Sequence, residues 1–313
     1  MGSLRVQSEV ARALDARRPV VALESALITH GFRTPSNLEI AEQMEAAVRE
    51  AGAVPASIAV VDGQPRIGLS RRALVRLASV RPPGESSGRS QPRKISLRDL
   101  PASLAQGITG GTTVAATIHL AHLAGIQVLA TGGVGGVHRD RPEDVSADLT
   151  ALGSIPITVV CSGPKALLDL PRTRETLETK GITVIGYATE ELPAFYSRRS
   201  GLKVDVSVDT PAEVAHLARL RTALGLRTAL LVCVPVPAAA ALSETEAETA
   251  ILQAMDEAKM AGVGGKDLTP FLLGRIVDLT DGEARRANEA LLVNNARVAA
   301  LIAAALANTG SDG

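Results

Sequence analysis

The sequence predicts an α/β fold, a three-layer α/β/α arrangement with a mainly parallel central sheet and a helical C-terminal segment. Three observations carry this reading. Short apolar runs alternate with helical patterns at the spacing of β-α-β crossovers: "TTVAATIHLAHLAG", "IQVLATGG", "DVSADLTALG", "PITVVCSG", "PKALLDLPRTRETLETKG" and "ITVIGYAT". Several of these runs are continuously apolar, as strands covered on both faces are. From Glu244 onward the pattern is helical throughout. We expect one α/β domain over residues 1–313, with 244–313 as its helical end.

The elements follow in order. Leu4 to Arg17 has helical spacing and precedes the apolar strand "PVVALES". "TPSNLEIAEQMEAAVREAG" predicts a helix with a Ser36/Glu39 capping box, closed by Gly52. "ASIAVVDGQPRIGLS" reads as a hairpin about Asp62-Gly63. "SRRALVRLASV" is a short helix. Arg81 to Arg93, "RPPGESSGRSQPR", is dense in Pro, Gly and Ser and reads as a surface loop or lid. The strand "KISL" follows it, and "ALLVCVPVP" supplies a late strand.

Lys plus Arg and Asp plus Glu both number 33. That balance provides no general pull toward nucleic acid or an anionic membrane, so anion recognition must be local. Aromatic residues make up 2% and Trp is absent, which disfavours a base-stacking single-strand binder. Cys161 and Cys233 lie in apolar strand-like runs, a pattern of a reducing compartment. "MGSLRVQSEV" has no apolar signal-peptide core, and the long apolar stretches read as too short or too proline-broken to cross a bilayer. These features predict a cytoplasmic location.

Ligands of open parallel sheets bind beyond the carboxyl ends of the strands. Glu24 ends "VVALE", "TGGVGGVHRD" follows "IQVLA", and "SGPK" follows "TVVC". All three are expected in one crevice. A carboxylate at an apolar strand end is partly desolvated, which raises its pKa into a range useful for acid/base work; the plainer reading of Glu24 is a salt bridge to an Arg. Lys165 reads as the start of a helix, where an ammonium is electrostatically misplaced. Either it points to solvent, or it is a lysine that loses its proton readily and attacks carbonyl carbon. The glycines after Thr131 mark a backbone that something approaches closely. His138 at their end is a candidate donor or a structural His. Asp144 and Asp148 stand four apart, on one face of an expected helix; they suit a divalent ion with water, or serve as N-cap and first-turn acids. "TGGTT" suits an anion at a helix start, or N-capping by Thr112 or Thr113. Neither a Walker motif nor a dinucleotide fingerprint is present.

The blocks "VALESALITHG", "GAVPASIAVVDG", "KISLRDLP", "GGTTVAATI", "ATGGVGGVHR", "DVSADL", "VVCSGPKALLDL", "LPAFYSR", "GKDLTPFLL" and "NEALLVNNA" closely resemble the pseudouridine-5′-phosphate glycosidase family, from about Val20 to Ala300. The resemblance implies cleavage of a C–C glycosidic bond between ribose 5-phosphate and a base through a lysine imine. By match, Lys165 is the nucleophile and Glu24 the proton donor and acceptor. Asp144 is the ligand of one Mn²⁺ ion, with Mg²⁺ as an alternative. Ser146, Ala147 and Asp148 lie near the sugar and phosphate. Lys94 and Val114 take other substrate-binding positions, and Thr131, His138 and Asn288 take places near the base. The expected partners are a phosphosugar and a base or aromatic co-substrate, in a homotrimer with an α/β/α core.

The chain departs from the family around this machinery. Ala26, Phe32-Arg33-Thr34, Ile108-Thr109, Val234 and Ala238 replace other residue types, several of them polar. A site built to hydrogen-bond uracil loses affinity when it loses polar partners. One branch of the fold joins ribose 5-phosphate to an aromatic polyketide, in alnumycin biosynthesis. The departures favour that synthetic direction, with pseudouridine 5′-phosphate hydrolysis as the alternative and non-catalytic phosphosugar binding as a third reading.

Overall fold

The computed structural model describes residues 4–79, 91–263 and 268–308. Most of the proline- and serine-rich segment 81–93 lies outside them. The chain opens with β1 (Arg5–Val6), α1 (Ser8–Asp15), β2 (Val20–Leu23), α2 (Ala26–His30) and α3 (Ser36–Glu50). The hairpin β3 (Val54–Val61) and β4 (Gln64–Ile67) follows, then α4 (Arg71–Ala78), β5 (Arg93–Ile95), α5 (Leu100–Ala105) and β6 (Gly110–Thr112). Crossovers then run through α6 (Val114–Leu123), β7 (Val128–Ala130), α7 (Ala147–Leu152), β8 (Thr158–Cys161), α8 (Leu170–Thr179) and β9 (Thr183–Tyr187). The last elements are β10 (Val206–Val208), α9 (Pro211–Ala223), β11 (Leu230–Cys233), α10 (Glu244–Met260), α11 (Leu268–Leu279) and α12 (Glu283–Ala307).

The strands form one sheet in the order β1-β4-β3-β2-β7-β8-β11-β9-β10, with β6 also on β3 and β5 on β6. Among the described residues, pairing is parallel except where β3 meets β4 and β6. Alternate strand residues feed two cores. Val21, Leu23, Val160, Leu230 and Val232 join the helices α3, α9, α10 and α12 on one face. Val20, Ala22, Val159, Cys161, Leu231 and Cys233 join α1, α6 and α7 on the other. This is the three-layer arrangement that the continuously apolar strands predicted. From β2 the chain moves outward to β3 and later returns to place β7 on the other side of β2. The β2/β7 gap is therefore a topological switch point, where open sheets bind ligands.

Several local expectations need correction. Leu4–Arg17 is not one helix: Arg5 and Val6 pair in parallel with β4 before α1 begins. The Ser36/Glu39 capping box does not form, because Ser36 is already the first residue of α3 and Pro35 precedes it. The N-cap expected at Thr112 or Thr113, by contrast, does form, at Thr113. Asp144 is neither helical nor an N-cap; α7 starts at Ala147 under Ser146, whose Oγ accepts from Asp148 N. The helix expected from Pro164 starts only at Leu170, capped by Asp169, whose Oδ1 accepts from Arg172 N at 2.9 Å. Lastly, α12 is long and apolar enough to cross a bilayer by length and composition, which the sequence reading missed. It packs against α3, α9, β2, β7 and β8, with Leu291, Asn295, Val298 and Ile302 buried.

Candidate active site

Glu24 is the first residue after β2. Its neighbour Ser25 pins that strand end: Ser25 Oγ donates to Ile58 O at 2.5 Å and accepts from Thr112 N at 3.0 Å. Glu24 is 8% exposed, and its Oε1 accepts a 2.8 Å hydrogen bond from Thr131 Oγ1 at the end of β7. Burial pushes its carboxyl pKa up. The nearby charge of Lys165 and the Thr131 hydrogen bond oppose that rise; Asp148 reinforces it and Lys94 again opposes it. The two strand-end residues thus meet across the switch point, as the sequence reading expected.

Lys165 sits in the loop after β8, half-buried, and its charge acts on both Glu24 and Lys94. The helix-dipole argument for this lysine is overturned, since α8 begins five residues later. What holds Lys165 is pairing with the glycine-rich loop. Pro164 bridges Val134, Lys165 N donates to Val134 O at 3.0 Å, and Leu168 bridges His138. Arg139 closes the turn, with Nε donating to Leu168 O at 3.1 Å and Nη2 to Ala166 O at 3.3 Å, while Glu248 anchors its Nη1 at 2.5 Å. Gly163 has φ +84°, and a Cβ there would meet Pro193 O at 2.2 Å.

The close approach inferred for the glycine loop comes from the protein's own side chains. A Cβ on Gly135 would lie 2.1 Å from Ser146 Oγ, and one on Gly136 would lie 2.4 Å from Thr173 Oγ1. Asp148 is buried and clamps two elements, its Oδ1 accepting from Ala115 N and its Oδ2 from Gly135 N, both at 2.8 Å. Val114 is the first residue of α6 and is buried beside this clamp. Lys94 on β5 stands in register with Gly111 of β6. Lys94 is exposed as a whole residue, but local desolvation of its ammonium, and then the charge of Lys165, lower its pKa against the pull of Glu24 and Asp148. Ala147 is exposed at the start of α7, and His138 is half-buried, its backbone N–H donating to Asp144 O at 3.2 Å.

Asn288, half-buried on α12, lies apart from these contacts and lines a cavity of about 640 Å³ with His30, Phe32 and Tyr196. The asparagine that does reach the strand ends is Asn295, which the sequence reading did not single out. It is fully buried; its Nδ2 donates to Thr131 O at 2.9 Å and to Ser162 Oγ at 3.1 Å. It therefore ties the loop carrying the partner of Glu24 to the loop carrying Lys165. Replacing Asn295 with Leu is expected to cost about 1–3 kcal/mol for each acceptor left unpaired, and to lower kcat at a temperature where the variant is still folded. Thermal denaturation beside steady-state kinetics checks this; unchanged kcat would show that the tie is only structural.

Asp144 is exposed and does not share a helix face with Asp148. Among the described residues no three His, Cys, Asp or Glu side chains gather to hold a metal. One surface carboxylate does not make a resident cage, and a hard divalent ion there would need water or substrate oxygens for the rest of its shell.

A mainly parallel α/β/α sheet with a buried Glu, a Lys and a second Lys collected at its switch point defines a class of small-molecule enzyme, and the relatives of the chain say which. It belongs to the family described as indigoidine synthase A like protein, matched over residues 9–305, a family in which it stands with the pseudouridine-5′-phosphate glycosidases. It is 52% identical to the pseudouridine-5′-phosphate glycosidase of Paracoccus denitrificans, over 97% of this chain and 98% of that one. With the enzyme of the same description from Caldanaerobacter subterraneus it shares 50% identity over 96% of each. Among solved structures it is similar to the prealnumycin C-glycosynthase AlnA in complex with ribulose 5-phosphate, with a TM-score of 0.88 and 38% identity over 99% of each chain. An indigoidine synthase A-like protein from Thermotoga maritima matches with a TM-score of 0.86 and 34% identity over 97% of each chain. These relatives make the chain an enzyme of C-glycosidase type.

Proposed function

We propose that the chain cleaves the C–C glycosidic bond of pseudouridine 5′-phosphate, giving uracil and ribose 5-phosphate. The observation that carries this is the placement of Lys165 beside the buried Glu24 at the switch point, where burial pushes the Glu24 carboxyl pKa up. A carbon leaving group cannot depart by simple protonation of a bridging oxygen, so the sugar carbon needs an electron sink. Glu24 donates a proton to the ring oxygen as the amine of Lys165 bonds to C1′, and the C1′–O bond breaks to open the ring. The amine then gives up its own proton, which returns Glu24 to its acid form. The nitrogen lone pair next forms a C=N bond to C1′ as the C1′–base bond breaks; its electrons stay on the base carbon, which takes a proton. Water adds to the imine and releases the aldehyde sugar and the free amine. Lys94, near the start of α6, is suited to the phosphate. Any Mn²⁺ or Mg²⁺ would be held by Asp144 together with water and substrate oxygens. A homotrimer belongs to the same proposal.

The synthetic direction is a second reading, favoured by the similarity to the C-glycosynthase. Val234 is buried in the core, and Thr109 Oγ1 accepts from Asp62 N at 2.9 Å at the edge of the hairpin. Of the departing residues, Phe32, Arg33 and Thr34 are the ones that line the large cavity. Incubation with pseudouridine 5′-phosphate, beside ribose 5-phosphate plus an electron-rich naphthoquinone-type aglycone, decides. Release of uracil is the expected result, and C-ribosylation of the aglycone without it would overturn the hydrolytic assignment.

A further inference from the structure

The cavity of about 640 Å³ between the α2–α3 connection and the helices α11 and α12 holds a group that the mechanism does not use. Tyr196 lines it, yet is 1% exposed. Its hydroxyl makes no hydrogen bond to any described residue, and burial alone pushes its pKa upward, with no hydrogen-bonding or charged partner contributing. A phenol on a cavity wall that makes no hydrogen bond to a described residue is free to pair with a polar group of a ligand held there.

The segment that presents this hydroxyl is rigid and costly to build. Phe195 has φ +63°, a left-handed conformation that disfavours a bulky side chain. It is held there by a 3.1 Å hydrogen bond from its N–H to Ser162 O, on the loop that carries Lys165. Its ring also fills the space beside Gly133, where a Cβ would meet it at 2.7 Å. Phe195 and Tyr196 pack edge to face at 4.9 Å. The cavity reaches toward the catalytic groups through His30, which lines it and feels the charge of Lys94. Phe32 and Phe271 give its wall aromatic surface, and Asn288 adds an amide.

We propose that Tyr196 determines specificity for the co-substrate, its hydroxyl hydrogen-bonding the polar edge of a planar base held among Phe32, Phe271 and Asn288. This rests on the enzymatic reading above. The ligand class is a flat ring that pairs a carbonyl or N–H edge with an apolar face, and a purely apolar ring is rejected because it leaves the phenol unpaired.

The test is Tyr196→Phe, assayed in the joining direction with ribose 5-phosphate and uracil. KM for uracil should rise roughly tenfold to a hundredfold, while KM for ribose 5-phosphate and borohydride trapping of that sugar on Lys165 are retained. The free variant should melt at about the same temperature, because the hydroxyl it loses makes no hydrogen bond to a described residue and lines the cavity. An unchanged KM for uracil, or a parallel loss in every parameter with a lower melting temperature, overturns the role of Tyr196. Failure of the wild-type protein to trap the sugar would instead refute the enzymatic reading itself.

Discussion

Lys165→Ala is expected to lower turnover by roughly 10⁴- to 10⁶-fold, the scale on which enzymes lose activity when a covalent nucleophile is removed. Borohydride reduction in the presence of ribose 5-phosphate should label the wild-type chain once, on Lys165, and leave the variant unlabelled; mass spectrometry reads both. The fold should survive, because the contacts that place this loop are backbone bonds to Val134 and Val137 and the Arg139 clamp, none of which uses the lysine side chain. Lys165→Arg sharpens the test. It keeps the positive charge that Glu24 and Lys94 feel, yet a guanidinium stays protonated and cannot attack carbon. An arginine variant with substantial activity would mean that the site needs only charge at this position, and the imine mechanism would fall.

Much of this arrangement could be read from sequence because it depends on local pattern. Continuously apolar strands placed Glu24, Thr131 and the Lys165 loop at the carboxyl ends of neighbouring strands, and the structure joins Glu24 to Thr131 at 2.8 Å. The errors have physical causes. "PKALLDLP" has the apolar spacing of a helix, but Lys165 to Asp169 pairs with the glycine loop instead, and the true start signal was Asp169 followed by Pro171. Asp144 and Asp148 have helical spacing, yet Ser146 between them makes the cap. β1 contains two residues and exists only because β4 is beside it. Asn295 was hidden in an apolar helical run; its partners are 164 and 133 positions away in the chain. Long-range hydrogen bonds of this kind leave no periodic trace.

Glu24→Gln should separate catalysis from stability. The amide keeps the shape and can still accept from Thr131 Oγ1, but it cannot give up a proton, so turnover should fall by roughly 10²- to 10⁴-fold. The stability effect has the opposite sign. Burial raises the folded-state pKa of Glu24 above its ordinary value of 4.5, so the folded state holds this proton more tightly than the unfolded chain does. That contribution to stability is complete below pH 4.5 and is lost as pH rises through the raised value. At higher pH the wild-type protein keeps either a buried charge or a proton held against the solution, and Gln has neither burden. The melting temperature of the variant relative to wild type should therefore increase from pH 4 to pH 8. A variant that is less stable at pH 8 would mean that ionised Glu24 stabilises the fold through Lys165, and the carboxyl would then no longer be the acid that opens the sugar ring.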